Sequence, residues 1–196
     1  MSATVTALRS AGRNRVAVEV DGVEWRTVPA GVVLQSRLRV GCALDRATLR
    51  VVRRELRRAE ALAVATRTLS AGDQSALFVT EKLSRRGIAP RVRAEALDVL
   101  ERSGLLDDRR AARSRAQSLA ERGYGDGAIR ADLERRGFDS EPADEAIAEL
   151  APETERARAI VRRRGPSLRT ARSLAAKGFS PETVEAVCGA AFANDP

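Results

Sequence analysis

Apolar and polar residues alternate over the first part of the chain. From Asp45 onward the apolar positions instead recur every three to four residues. Val16, Val18 and Val20 alternate with polar neighbours, Asp21-Gly22 follows, and Val23, Trp25 and Thr27 resume the alternation. An Asp-Gly pair between two alternating runs predicts a two-residue β-hairpin. In that register Val20 faces Val23 and Val18 faces Trp25, while Glu19 sits opposite Glu24 as a like-charge pair on the wet side. A lone hairpin is marginal in water, so Trp25 is expected to pack against the helices that follow.

Asp45 is a good N-cap for a helix running through Leu49, Val52, Leu56 and Ala59 towards Leu69. Three segments then share one punctuation: Leu83-Ser84-Arg85-Arg86-Gly87-Ile88, Leu133-Glu134-Arg135-Arg136-Gly137-Phe138 and Leu174-Ala175-Ala176-Lys177-Gly178-Phe179. Leucine reads as the last core residue of a helix, and the basic residue offsets the negative end of its dipole. Gly87, Gly137 and Gly178 take the left-handed position after the helix, and the next apolar residue folds back over its end. Pro90, Pro142 and Pro181 lie in or near the first turn of the helix that comes next. A further helix precedes each unit, around residues 49–69, 107–122 and 153–164.

The expected fold is mainly α. Three tandem three-helix-bundle repeats form an elongated, curved solenoid behind a small N-terminal β-hairpin. The expected boundaries are a hairpin segment at 1–44 and repeats at 45–104, 105–150 and 151–196.

The chain has 196 residues, no histidine and only two cysteines, Cys42 and Cys188, which lie far apart. That excludes a Ser-His-Asp or Cys-His site, and it leaves no imidazole ligand for a metal. The expectation is therefore no catalytic residue, no metal and no cofactor. Asp107-Asp108 could suggest a carboxylate site, but the pair opens a helix, where Asp107 serves as a structural cap. Gly123-Tyr124-Gly125-Asp126-Gly127 matches no phosphate-binding fingerprint and reads as a connector between a helix ending at Gly123 and one starting at Asp126. No apolar stretch approaches a membrane span, and the N-terminus lacks the order of a signal peptide, so a cytoplasmic location is expected.

The formal charge is +8, and all but two of the 35 basic residues are arginine. Residues 1–60 carry a net +6, 61–104 carry +2, 105–150 carry −3 and 151–196 carry +3. The ends are basic and the middle is acidic. Arg50, Arg53, Arg54, Arg57 and Arg58 fall on one helical stripe, relieved only by Glu55 and Glu60. Adjacent like charges cost about 0.2–0.5 kcal/mol per pair, which invites a binding role towards phosphates or a partner's carboxylates. A solvated face in an arginine-rich chain is the plain alternative. A second, broader cluster holds Arg156, Arg158, Arg162, Arg163, Arg164, Arg169 and Arg172. The acidic middle argues against a continuous phosphate track, and the few aromatics argue against base stacking.

Taken together, these residues resemble the RecX family of regulators of the bacterial recombinase RecA. The resemblance covers nearly the whole chain. Its most specific part runs from Leu83 to Phe138 and includes Gly104-Leu105-Leu106-Asp107-Asp108 and Ile129-x-x-x-Leu133-x-x-x-Gly137-Phe138. Ala111-Ala112 replaces the family's usual Phe-Ala step, which implies a thinner core there. Ala71-Gly72-Asp73 stands where the family usually has an Arg-Ser pair. The resemblance implies a monomeric, non-enzymatic modulator, mainly an inhibitor, that lies in the groove of the RecA–DNA filament and slows its growth, ATP turnover and strand exchange. Its partner would be the RecA filament, with DNA contacted through the basic ends and no membrane or small-molecule substrate. The residues expected to bind it come from the charge pattern: Arg50, Arg53, Arg54, Arg57, Arg58, Arg162, Arg163, Arg164, Arg169 and Arg172. The alternative is a helical repeat protein that binds nucleic acid nonspecifically without a recombinase.

Overall fold

The computed structural model describes residues 3–192, of which the side chains are described up to Gly189. The described chain forms two compact units: residues up to Arg67 with Lys82–Arg102, and Thr68–Glu81 with the chain from Ser103 onward.

The first unit opens with three antiparallel strands, β1 (Val5–Ser10), β2 (Arg15–Val20) and β3 (Val23–Pro29), with β2 in the centre. The Asp21-Gly22 turn forms as its chemistry requires, both residues taking positive φ (50° and 83°). Val20 pairs with Val23 and Glu19 with Glu24, but a bulge then shifts the register so that Val18 opposes Arg26. This corrects the expected Val18–Trp25 pair: Trp25 sits at the bulge and remains 40% exposed. The expected hairpin is thus part of a larger sheet, because β1 pairs along the free edge of β2. Val5, Val18 and Val28 turn inward and join Val32 and Val33 of helix α1 (Ala30–Gln35), Leu38, Leu44 and Val52 in one core. Val52 belongs to α2 (Arg46–Ser70), whose N-terminus is capped by Asp45 through the Thr48 amide at 2.7 Å. That bond holds the Asp45 carboxyl below its usual range.

Two more helices, α3 (Ala76–Arg85) and α4 (Pro90–Arg102), follow α2, and two further three-helix sets come after them. The second set is α5 (Asp108–Glu121), α6 (Asp126–Arg135) and α7 (Ser140–Ala148); the third is α8 (Glu153–Arg164), α9 (Leu168–Ala176) and α10 (Pro181–Phe192). The middle core is thin. Ala111, Ala112, Ala116 and Leu119 of α5 meet Ile129, Leu133, Phe138, Ala143 and Ala146, so small side chains let three short helices close tightly. The third core uses Ala157, Ala171, Leu174, Phe179, Val184 and Cys188. Burial pushes the Cys188 thiol pKa up, as befits a small hydrophobe.

All three second helices end in the same way. Ile88, Phe138 and Phe179 donate their amides back to the carbonyls of Leu83, Leu133 and Leu174 at 3.1–3.2 Å, with each intervening glycine left-handed. At Gly178 (φ 79°) the left-handed turn also serves a close approach, because a β-carbon there would lie 2.5 Å from the backbone nitrogen and Cβ of Ala128 on α6. At Gly87 (φ 71°) the same added atom would meet nothing within 4 Å.

The two glycines therefore separate backbone strain from packing. Gly87→Ala is expected to cost about 1–2 kcal/mol, the strain of a left-handed alanine. Gly178→Ala should cost roughly 3 kcal/mol or more, because the α6 and α9 backbones must also move apart. Chemical denaturation of the two variants measures the difference, and equal losses would remove the packing role of Gly178.

Candidate partner-binding surfaces

How the sets join decides which side chains remain free. Asp107 caps its own helix, α5, by accepting from the Arg110 amide at 3.0 Å. Asp108, one residue on, reaches back and accepts from the Ala76 amide at the start of α3, at 2.9 Å. Beside it, the Ser75 hydroxyl donates to the Arg136 carbonyl at 2.6 Å. The next joint repeats this arrangement. Glu153, the first residue of α8, accepts from the Asp126 amide at the start of α6, at 2.8 Å. The amides of Gly125 and Gly127 donate to the carbonyls of Lys177 and Gly178 at 2.8 and 3.1 Å. The glycine-rich stretch that reads as a plain connector is thus a contact surface, where a side chain at Gly125 would collide with Gly178 and Phe179. Burial pushes the Glu153 pKa up, but donation from the Asp126 amide and from Ser180 outweighs it, and the net direction is down.

Ion pairs occupy most arginines of the middle set. Arg109 bridges Glu141 and Glu145 at 2.8 Å each, Arg113 holds Glu149 at 2.7 Å, and Arg130 pairs with Asp144. Asp132 gathers Arg115 (2.8 and 3.1 Å) and Arg136 (3.0 Å), and all three side chains are partly shielded. Exposed pairs of this kind contribute about 0.2–1 kcal/mol each, but together they leave few charges there for a partner. Arg156, read from sequence as part of a surface cluster, is drawn inward. It donates to the carbonyls of Ala151 and Tyr124 at 3.0 and 2.7 Å and pairs with Asp126, so it supports the fold.

The stripe on α2 contrasts with this. Arg50, Arg53, Arg54 and Arg57 are exposed and, with Arg46, line a cleft of about 600 Å³ beside Leu49 and Val92. Among the described residues, Arg46, Arg50, Arg53 and Arg57 have no hydrogen-bond or ion-pair partner, whereas Arg54 holds the buried carboxylate of Glu55 at 2.9 Å. Arg58 is half-buried and lies outside the cleft lining. Arg46 is the addition that sequence reasoning missed. It extends the stripe by one turn, four residues before Arg50, and the same helical spacing is the signal that could have found it.

The C-terminal arginines divide among smaller sites. Arg163 and Arg164 line a pocket of about 260 Å³ with Arg122 and Lys177. Lys177 donates to the Arg122 carbonyl at 2.9 Å, and both cations stand over the Tyr124 ring, 5.1 and 5.5 Å from its centre. Arg122 and Lys177 are 55 residues apart, and no sequence signal joins them. Arg164 and Arg169 line a second cleft of about 480 Å³, while Arg162 and Arg172 are exposed outside both.

Three-helix sets in tandem, fastened at their helix ends and bearing arginine-lined clefts, define an α-helical repeat protein. Residues 107–147 match the family model described as RecX, second three-helix domain. The Regulatory protein RecX of Chromohalobacter salexigens is 36% identical over 139 residues, which cover 66% of this chain and 91% of that protein. Its namesake from Xanthomonas axonopodis pv. citri is 36% identical over 118 residues, covering 55% and 73%. A solved structure described as the crystal structure of regulatory protein RecX has the same fold, with a TM-score of 0.77 at 23% identity over 94% of this chain and 98% of that one. This chain belongs to the RecX family, whose named members are regulatory proteins. Among the described residues, no helix is long and apolar enough to cross a membrane.

The Asp132 cluster gives a pH prediction. Hydrogen bonding from Arg115 lowers the Asp132 pKa from its ordinary 3.8, so the folded chain holds this proton less tightly than the unfolded chain. The stability it contributes is complete above that ordinary value and is lost as the pH falls through the lower, folded one. Asp132→Asn should therefore flatten the decline of melting temperature below about pH 4. An unchanged acid slope would assign the decline to other carboxylates.

Proposed function

We propose that this chain is a monomeric, cytoplasmic, non-enzymatic modulator, chiefly an inhibitor, of the recombinase RecA. On this reading it lies in the groove of the RecA–DNA filament and limits filament extension, ATP hydrolysis and strand exchange. Family membership among proteins named as regulators supports the class of role. The observation that carries the contact is the α2 cleft, where four arginines lack internal partners among the described residues while the middle set neutralises most of its own. Crowding like charges on one helix face is unfavourable in isolation, and that cost is offset when carboxylates or phosphates of a partner enter the cleft. Arginine suits the task because its planar fork binds carboxylate and phosphate oxygens two at a time. Basic ends around an acidic middle favour one register against a patterned surface, with DNA in the filament touched by the ends.

Replacing Arg53→Glu together with Arg57→Glu is expected to weaken inhibition of the RecA ATPase on single-stranded DNA by about tenfold, with the far-ultraviolet helical signal unchanged. Unchanged inhibition would remove the stripe from the mechanism. A second measurement addresses nonspecific nucleic-acid binding. Affinity for RecA-coated DNA should exceed that for naked single-stranded DNA and fall less steeply with salt. Equal affinities that collapse together would favour a protein that tracks phosphates without a recombinase.

A further inference from the structure

We propose that the pocket between α5, α8 and α9 binds a terminal phosphate monoester, the group at the 5′ end of a nucleic-acid strand or of a free nucleotide. Arg122, Arg163, Arg164 and Lys177 all line this space of about 260 Å³. Among the described residues, no carboxylate pairs with any of the four. Glu121, the one acid on the lining, accepts instead from the Gln117 side-chain amide at 3.0 Å. Arg156 also reaches the lining, but Asp126 and the Tyr124 carbonyl already hold it.

Helix dipoles explain only part of this charge. Arg122 and Lys177 stand at the C-terminal caps of α5 and α9, and Arg163 and Arg164 lie in the last turn of α8. Each of these helix ends carries about half a negative charge. With Glu121 they supply roughly two and a half negative charges against the four cations, so about one and a half positive charges remain. A carboxylate brings one charge and two oxygens in a plane. A phosphate monoester brings about −1.5 to −2 and three acceptor oxygens, which suits cations arriving from three helix ends.

Three of the four cations are held in place by the fold itself. Lys177 donates to the Arg122 carbonyl at 2.9 Å, which leaves two of its N–H groups for a ligand. Its nitrogen and the Arg122 guanidinium stand 5.1 and 5.5 Å from the centre of the Tyr124 ring. Arg164 donates to the Ser173 hydroxyl at 3.2 Å through one of its five N–H groups. Arg163 is exposed and has no partner among the described residues. Between the cations, Ala159, Ile160 and Leu174 add apolar surface to the lining. The volume falls below the roughly 300–1,000 Å³ of sites that enclose a drug-sized ligand. It therefore takes a phosphate and its sugar and leaves the rest of the ligand outside.

The test follows the ring resonances of Tyr124, the only tyrosine in the chain, by NMR of the full-length protein at about 0.1 M salt. The probes are thymidine 5′-monophosphate, a six-nucleotide oligothymidylate with and without a 5′-phosphate, and hexaglutamate. The phosphorylated strand is expected to bind at least about tenfold more tightly than the bare strand or hexaglutamate. A monophosphate that binds as tightly as the phosphorylated strand assigns the site to free nucleotides, and a weaker one assigns it to strand ends. Arg122→Gln and Arg163→Gln, made singly, should each weaken binding at least about threefold. The fold does not depend on the exposed Arg163 side chain, so that variant should keep the parent melting temperature. Arg13→Gln with Arg26→Gln, which removes exposed charge from the first unit, should leave binding within about twofold. The site is overturned if neither phosphorylated probe moves the ring, if the bare strand or hexaglutamate binds equally well, or if Arg163→Gln binds like the parent. Such a failure leaves the proposed function standing, because that is read from recombinase inhibition by the α2 variants.

Discussion

The chain from Ser75 onward depends on what happens to the unpaired amides at the start of each second helix. A helix of nine or ten residues has four N–H groups without internal partners, a large fraction of its backbone, and its short hydrophobic face contributes little to hold it in place. At α3 and α6 the next set supplies acceptors: a carboxylate from the first residue of its leading helix takes an amide, and carbonyls of the turn that ends its own second helix take the Ser75 hydroxyl at α3 and the Gly125 and Gly127 amides at α6. One contact thus caps a helix and joins two sets. The joint requires a backbone surface that can be approached closely, which is why Gly178 meets Ala128 and the Gly125–Gly127 segment, with no large side chain between them.

This manner of joining has an electrostatic consequence. Acids placed at helix starts, and arginines held by Asp132, Glu141, Glu145 and Glu149, leave most arginines of the middle set paired within it. The α2 face has nothing comparable, since its one nearby buried acid, Glu55, is held by Arg54 alone among the described residues. Formal charge therefore indicates poorly where a partner can bind. Pairing separates the middle set from the α2 cleft, where Arg46, Arg50, Arg53 and Arg57 have no partner among the described residues.

The N-terminal sheet serves a different purpose. Its three strands cover the first turns of α2 by way of Val5, Val18 and Val28, which pack with Val52. A helix of 25 residues that displays arginines on one side needs a firm apolar support on the other, and the sheet with α1 provides it.

Periodicity, caps and turn chemistry were sufficient in the sequence to set the helical fold, the Asp21-Gly22 turn and the glycine-ended second helices, because each depends on residues within a few positions of one another, while the family was legible through the resemblance carried by the motifs from Leu83 to Phe138. The α2 stripe was legible for the same reason, as helical spacing alone puts Arg50, Arg53, Arg54 and Arg57 on one face. Tertiary structure decided the rest. It added β1 to the hairpin, displaced Trp25 to a bulge, drew Arg156 inward, and brought Arg122 beside Lys177 from 55 residues away. It also made the glycine-rich connector a joint. Which charges are cancelled depends on neighbours distant in the chain, and no local pattern records that.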